Sequence, residues 1–139
     1  MINNKELYTN WYILKNKIPV KCNDLNELST FNSSTEKIIK KSYIEDCELS
    51  TVFLGLDHNF SNSGKPVLFE TIFFYKTIAS DSILLLYRYC HYHTALNNHN
   101  RLWKIIEYMF NTDLNNLPIY INNEDFRGYI ANYRLKRGF

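Results

Sequence analysis

The stretch Leu49 to Phe74, LSTVFLGLDHNFSNSGKPVLFETIFF, constrains the fold more than any other part of the chain. Its first eight residues alternate: Val52, Leu54 and Leu56 fall on one side and Thr51, Phe53 and Gly55 on the other, the period-2 pattern of a strand with at least one buried face. From Val67 to Tyr75, Val67, Phe69, Thr71, Phe73 and Tyr75 face one way and Leu68, Glu70, Ile72 and Phe74 the other. Both sides are largely apolar, with Glu70 the exception, so this strand belongs in the interior of a sheet. Between the two, Asp57 to Pro66 carries Asn59, Ser61, Asn62, Ser63, Gly64 and Pro66, a run of turn formers that predicts a long surface loop. The two strands are therefore expected to be antiparallel neighbours.

The remaining pattern fills in around this pair. Strands are expected at Trp11 to Leu14 and Ile18 to Cys22, joined by a turn at Asn16-Lys17. Asn23 or Asp24 is suited to cap a helix that runs to about Thr30 and is broken by Asn32-Ser33-Ser34. Ile38 to Glu45 reads as a strand, with Asp46-Cys47 turning it into the Leu49 strand, and Ile83 to Tyr89 reads as another. The longest helix is expected from about Tyr92 to Phe110, because Ala95, His99, Leu102, Ile106 and Met109 recur at the spacing of one buried face. Phe126, Tyr129, Ile130 and Tyr133 repeat that spacing in the tail and predict a short C-terminal helix. The expected fold class is α+β: a mainly antiparallel sheet of four to six strands with one long helix packed on a face. Residues 1–111 form the core domain and 112–139 an extension docked on it.

Composition supports one ordinary domain. With 139 residues, 45% of them hydrophobic, the chain can bury a core without disulfide or metal staples. Its three cysteines, Cys22, Cys47 and Cys90, are odd in number and widely spaced, which argues against a disulfide framework or a zinc site, and Cys90 reads as a core residue. No apolar run reaches the roughly 20 residues of a membrane span, and the longest, Ile72 to Leu86, is interrupted by Lys76, Ser80, Asp81 and Ser82. Asn3, Asn4, Lys5 and Glu6 stand where a signal peptide would have its apolar centre, so a cytoplasmic protein is expected. A formal net charge of +2 is too mild to demand a nucleic-acid partner.

The run STVFLGLDHNF followed by GKPVLFET resembles a family of small uncharacterised phage and prophage proteins with an S-T-V-F-L-G-L-D-H block, a glycine-rich loop and L-F-E-T. Trp11 to Val20 and Asp24 to Leu28 resemble that family's opening strand, turn and helix, while Tyr87-Arg88-Tyr89 and Ala95 to His99 resemble its last strand and closing helix. The loop Ser61-Asn62-Ser63-Gly64 departs from the glycine-rich pattern, and the tail after Asn111 has no counterpart. The resemblance implies a phage-encoded accessory protein and supplies no activity.

The candidate chemistry gathers around the loop. Asp57-His58 begins it at a strand end, where His58 is suited to act as a general base oriented by Asp57, and Glu70 lies on the partner strand. A hydrolase-like site would draw on Asp57, His58 and Glu70, with His99 as a further member. The structural alternative has Asp57 accepting hydrogen bonds from loop amides and Glu70 paired with a cation such as Arg88. His91, His93 and His99 do not offer metal-ligand spacing, because six residues separate His93 from His99 and place them on nearly opposite faces of a helix. No metal and no cofactor are expected, and no P-loop, G-x-S-x-G elbow or H-E-x-x-H is present.

Aromatic residues make up 16% of the chain, including eleven tyrosines, more than a core of this size needs. Tyrosine is favoured at recognition surfaces, so Tyr8, Trp11, Tyr12, Tyr120, Tyr129 and Tyr133 are candidates for exposed contact positions. The expected function is stoichiometric binding of a host protein or protein complex, with inhibition of a bacterial defence system, anti-CRISPR-like, as its concrete form. Tyr129, Tyr133, Arg134, Lys136 and Arg137 form the expected partner-binding surface. The same cluster of Arg and Lys among tyrosines would also suit nucleic-acid backbone contact and base stacking.

Overall fold

Alternation in the sequence becomes four antiparallel strands laid down in chain order. The computed structural model describes residues 10–59, 64–76 and 81–111. Strands β3 (Ile38–Ile44), β4 (Cys47–Phe53), β5 (Phe69–Lys76) and β6 (Asp81–Tyr89) form a sheet of order β3-β4-β5-β6. A separate hairpin, β1 (Tyr12–Lys15) with β2 (Ile18–Lys21), precedes helix α1 (Leu25–Asn32), and helix α2 (Tyr92–Asn111) follows the sheet. The protein is an α+β domain with α2 packed across one face of the sheet. The expected strands and both helices are present, with ends displaced by one to three residues. The expected C-terminal helix and the docked extension lie outside the described residues.

Local chemistry accounts for the punctuation. Asn16 and Lys17 both take positive φ, 51° and 68°, and give the two-residue turn the twist a hairpin requires. Asp24 caps α1, its carboxylate accepting from the amides of Asn26 (2.9 Å) and Glu27 (3.2 Å). The turn between β3 and β4 is Glu45-Asp46, with Glu45 at a φ of 51°, so Cys47 begins the strand.

Register decides which side chains meet the helix. The β4–β5 pairs Leu49↔Phe73, Thr51↔Thr71 and Phe53↔Phe69 confirm the expected antiparallel hairpin and turn these six inward. Toward α2, Leu49, Phe73, Leu84 and Leu85 meet Leu102, Ile106, Met109 and Phe110. At the other end Phe53 and Phe69 join Ile13, Leu14, Leu28, Phe31 and Ala95, so α1 and the hairpin close the core there. Phe53 holds both ends of this cluster together, with ring centroids 5.7 Å from Phe31 and 5.4 Å from Phe69.

The opposite face takes the alternate residues. In cross-strand rows it carries Tyr43, Glu48, Phe74 and Ile83, then Lys41, Ser50, Ile72 and Leu86, then Val52, Glu70 and Arg88. Trp11 and Tyr12, expected as exposed contact residues, are half-buried: Trp11 bridges to Leu56 and packs on Gly55, and the Tyr12 amide donates to the Gly55 carbonyl at 2.7 Å. Gly55 sits at a φ of 79°, a conformation that costs a side-chain-bearing residue about 1 kcal/mol or more. Cys90, expected in the core, is only partly buried, while Cys22 and Cys47 are buried, and all three are free thiols.

Phe69 is fully buried within the core cluster at the α1 end. Phe69→Ala is expected to lower unfolding free energy by roughly 3–5 kcal/mol in urea titrations. A loss below about 1 kcal/mol would show that its ring does not fill the core.

Candidate functional site

Each acid/base residue read from the sequence has its own partner. The Asp57 carboxylate accepts from the amide of Asn59 at 2.8 Å and from that of Val67 at 2.9 Å, joining the two stems of the loop. Its charge also reaches Tyr12, whose phenol is held above its ordinary range first by burial and then by Asp57. His58 donates from Nδ1 to the Leu56 carbonyl at 2.8 Å, which fixes the ring against the strand end. Glu70 accepts from Arg88 Nε at 2.9 Å across the β5–β6 pair, the partnership expected from sequence.

Glu70 and His99 are separated by the sheet itself. His99 bonds Thr51, whose register partner is Thr71, and Glu70 precedes Thr71 in the strand and points to the other face. The arrangement does not bring Asp57, His58, Glu70 and His99 together around one cavity. His91 contacts Lys65 Nζ at 3.4 Å and His93 stacks edge-on to Tyr92. Among the described residues no three His, Cys, Asp or Glu side chains gather as metal ligands. Tyr129, Tyr133, Arg134, Lys136 and Arg137 lie outside the described residues.

The polar cluster that does assemble centres on His99, which is fully buried. Its Nδ1 lies 2.8 Å from Thr51 Oγ1 and its Nε2 lies 2.9 Å from Ser42 Oγ, while Thr51 and Thr71 share a hydrogen bond of 2.6 Å. Donor accounting gives this chain a direction. Thr71 is buried with Thr51 Oγ1 as its side-chain partner, so its hydrogen goes to Thr51, the Thr51 hydrogen goes to Nδ1, and the ring proton on Nε2 goes to Ser42. In this direction Ser42 accepts a hydrogen bond from the ring. Burial first, and the Lys40 ammonium second, lower the His99 pKa to about 4, so the ring is neutral across the physiological range.

Sequence reasoning placed His99 on the inner face of the helix and missed its hydroxyl partners. The readable signal was a histidine inside an apolar helical stripe together with threonines at inward positions of two adjacent strands. No family model, curated protein or solved structure matches the chain. No helix among the described residues is long and apolar enough to cross a membrane.

Two tests address these assignments. Asp57→Ala strands two amides that the carboxylate now satisfies, so it is expected to cost about 1–3 kcal/mol and more than His58→Ala in the same unfolding assay. Because the folded His99 pKa of about 4 lies below the ordinary 6.5, the unfolded chain binds a proton between those values that the folded chain refuses. The stability of the neutral ring is complete above about pH 6.5, declines as pH falls toward 4, and changes no further below that. The difference between wild type and His99→Asn in urea unfolding should trace this step, with an upper size of about 3 kcal/mol. An NMR titration midpoint for His99 near 6.5 would contradict the assignment.

Proposed function

We propose that the protein acts by stoichiometric binding of a host protein or protein complex in the cytoplasm, as a phage-encoded accessory protein whose concrete role is to inhibit a bacterial defence system in the anti-CRISPR manner. The observation that carries the reading is the outer face of the sheet. Tyr43, Ile83 and Leu86 are 61%, 57% and 44% exposed there, in the same cross-strand rows as the partly buried Phe74 and Ile72. Exposed apolar side chains on a regular strand surface suit a protein partner, because their burial on binding supplies a driving force. The Lys41–Glu48 ion pair lies within these rows, between Tyr43 and the β5–β6 side chains, and Arg88–Glu70 lies in the next row, so charged pairs are interleaved with the apolar side chains.

The engagement of Asp57, His58 and Glu70 in internal hydrogen bonds favours binding over a hydrolase-like use of the same residues. The resemblance of STVFLGLDHNF and LFET to small phage proteins supports the setting.

The test is phage plating on bacteria that carry a defined defence system and express the protein. Wild type is expected to restore plaques, and Ile83→Asp with Leu86→Asp to abolish the effect while far-UV circular dichroism and thermal unfolding stay unchanged. A folded double variant that restores plaques as well as wild type would remove the outer face from the proposal.

A further inference from the structure

On the far side of the molecule from that patch, α2 presents a cationic face whose main side chain is held in place. Asn97, Asn100, Arg101 and Lys104 stand at i, i+3, i+4 and i+7 and, with Ile105, line a groove of about 500 Å³. Lys40 joins them from the edge strand β3, its Nζ donating to Asn100 Oδ1 at 2.6 Å. Among the described residues no carboxylate forms an ion pair with Lys40, Arg101 or Lys104, whereas Lys15, Lys41 and Arg88 are each paired with a glutamate. Glu107, the single carboxylate of α2, lies three residues beyond Lys104 and bonds neither of the helix's cations.

Arg101 is preorganised. Its Nε and Nη2 donate to Asn98 Oδ1 at 3.2 and 2.7 Å, and Asn98 in turn donates to the Tyr89 hydroxyl on β6, so the guanidinium is braced against the sheet. Two of its five N–H groups are used in this way, and the outer edge formed by Nη1 and Nη2 stays open for two parallel bonds to one anionic group. Tyr108, 49% exposed, follows Lys104 by one turn and offers a ring beside the cations. From Asn97 to Tyr108 the stripe covers about 16 Å at 1.5 Å per residue. Fixed guanidinium, unpaired ammonium groups, amides that both donate and accept, and an adjacent phenol are the parts that grip phosphates and stack bases.

We infer that the groove along α2, formed by Asn97, Asn100, Arg101 and Lys104 with Lys40 and Tyr108 at its margins, binds single-stranded nucleic acid through its phosphates and one stacked base. Three cations fix the expected salt response: the logarithm of affinity should fall with the logarithm of salt concentration at a slope of about −2. Exposed bases are part of the recognition, so a duplex of mixed sequence should bind more weakly than a single strand.

The experiment is fluorescence anisotropy of a labelled 20-nucleotide oligo-dT and its RNA equivalent with the full chain, from about 50 to 200 mM salt. Binding with that slope is expected, weakened at least tenfold by Arg101→Glu with Lys104→Glu and more modestly by Tyr108→Ala, in variants whose thermal unfolding matches wild type. Ile83→Asp with Leu86→Asp should leave oligonucleotide binding unchanged, which separates this surface from the outer sheet face. Absence of binding at the lowest salt, or full binding by the folded Arg101→Glu/Lys104→Glu variant, would overturn the inference. Equal or tighter binding of the duplex, or of polyglutamate, would also overturn it, assigning the groove to another anion.

Discussion

A neutral imidazole enclosed between a helix and a sheet needs a partner for each ring nitrogen, and the docking of α2 depends on meeting that need. His99 takes Thr51 from β4 and Ser42 from β3, so the helix is fixed against two neighbouring strands at once. A one-residue slip of β3 against β4 would carry Ser42 to the outer face and leave Nε2–H without an acceptor in the interior, at a cost of about 1–3 kcal/mol. Apolar contacts alone tolerate small rotations of a helix on a sheet. The hydrogen-bonded ring does not, because donor and acceptor must stay within a few tenths of an ångström.

Much of the fold was legible because its signals are local. Alternation from Leu49 and from Val67 gave the central hairpin without deciding which side of the Leu49 strand turns inward, Asp24 gave the start of α1, and the stripe Ala95, His99, Leu102, Ile106, Met109 gave the buried side of α2. The site was less legible. Ser42 and Thr51 lie 57 and 48 residues from His99, and no spacing rule links a helix position to hydroxyls on strands so far back in the chain. Cys90 was misplaced for a related reason: it follows the last strand residue, where alternation no longer decides burial. Trp11 and Tyr12 were read as surface aromatics because the bridge to Leu56 and the close approach to Gly55 are long-range contacts.

The polar residues of the two most distinctive sequence blocks share a structural use. Thr51 and Asp57 in STVFLGLDHNF, and Glu70 and Thr71 in LFET, all hydrogen-bond within the domain: one pair under the helix, one at the loop stems, one across β5 and β6. A block of this kind specifies a strand pair and its register. Chains that share it would therefore share architecture while free to differ in the exposed rows of the sheet and along the helix.

The strand order β3-β4-β5-β6 repeats the order of synthesis. As the chain leaves the ribosome each strand finds its neighbour already made, so the sheet grows by short closures with little entropy to overcome. The helix arrives last of these elements. Until residues 92–111 emerge, Leu49, Phe73, Leu85 and the hydroxyls of Ser42 and Thr51 face solvent on an uncovered sheet. Such a surface is the stage at which a nascent chain is open to chaperones or to a neighbouring nascent chain, and the closing of α2 over it is the step that ends that exposure.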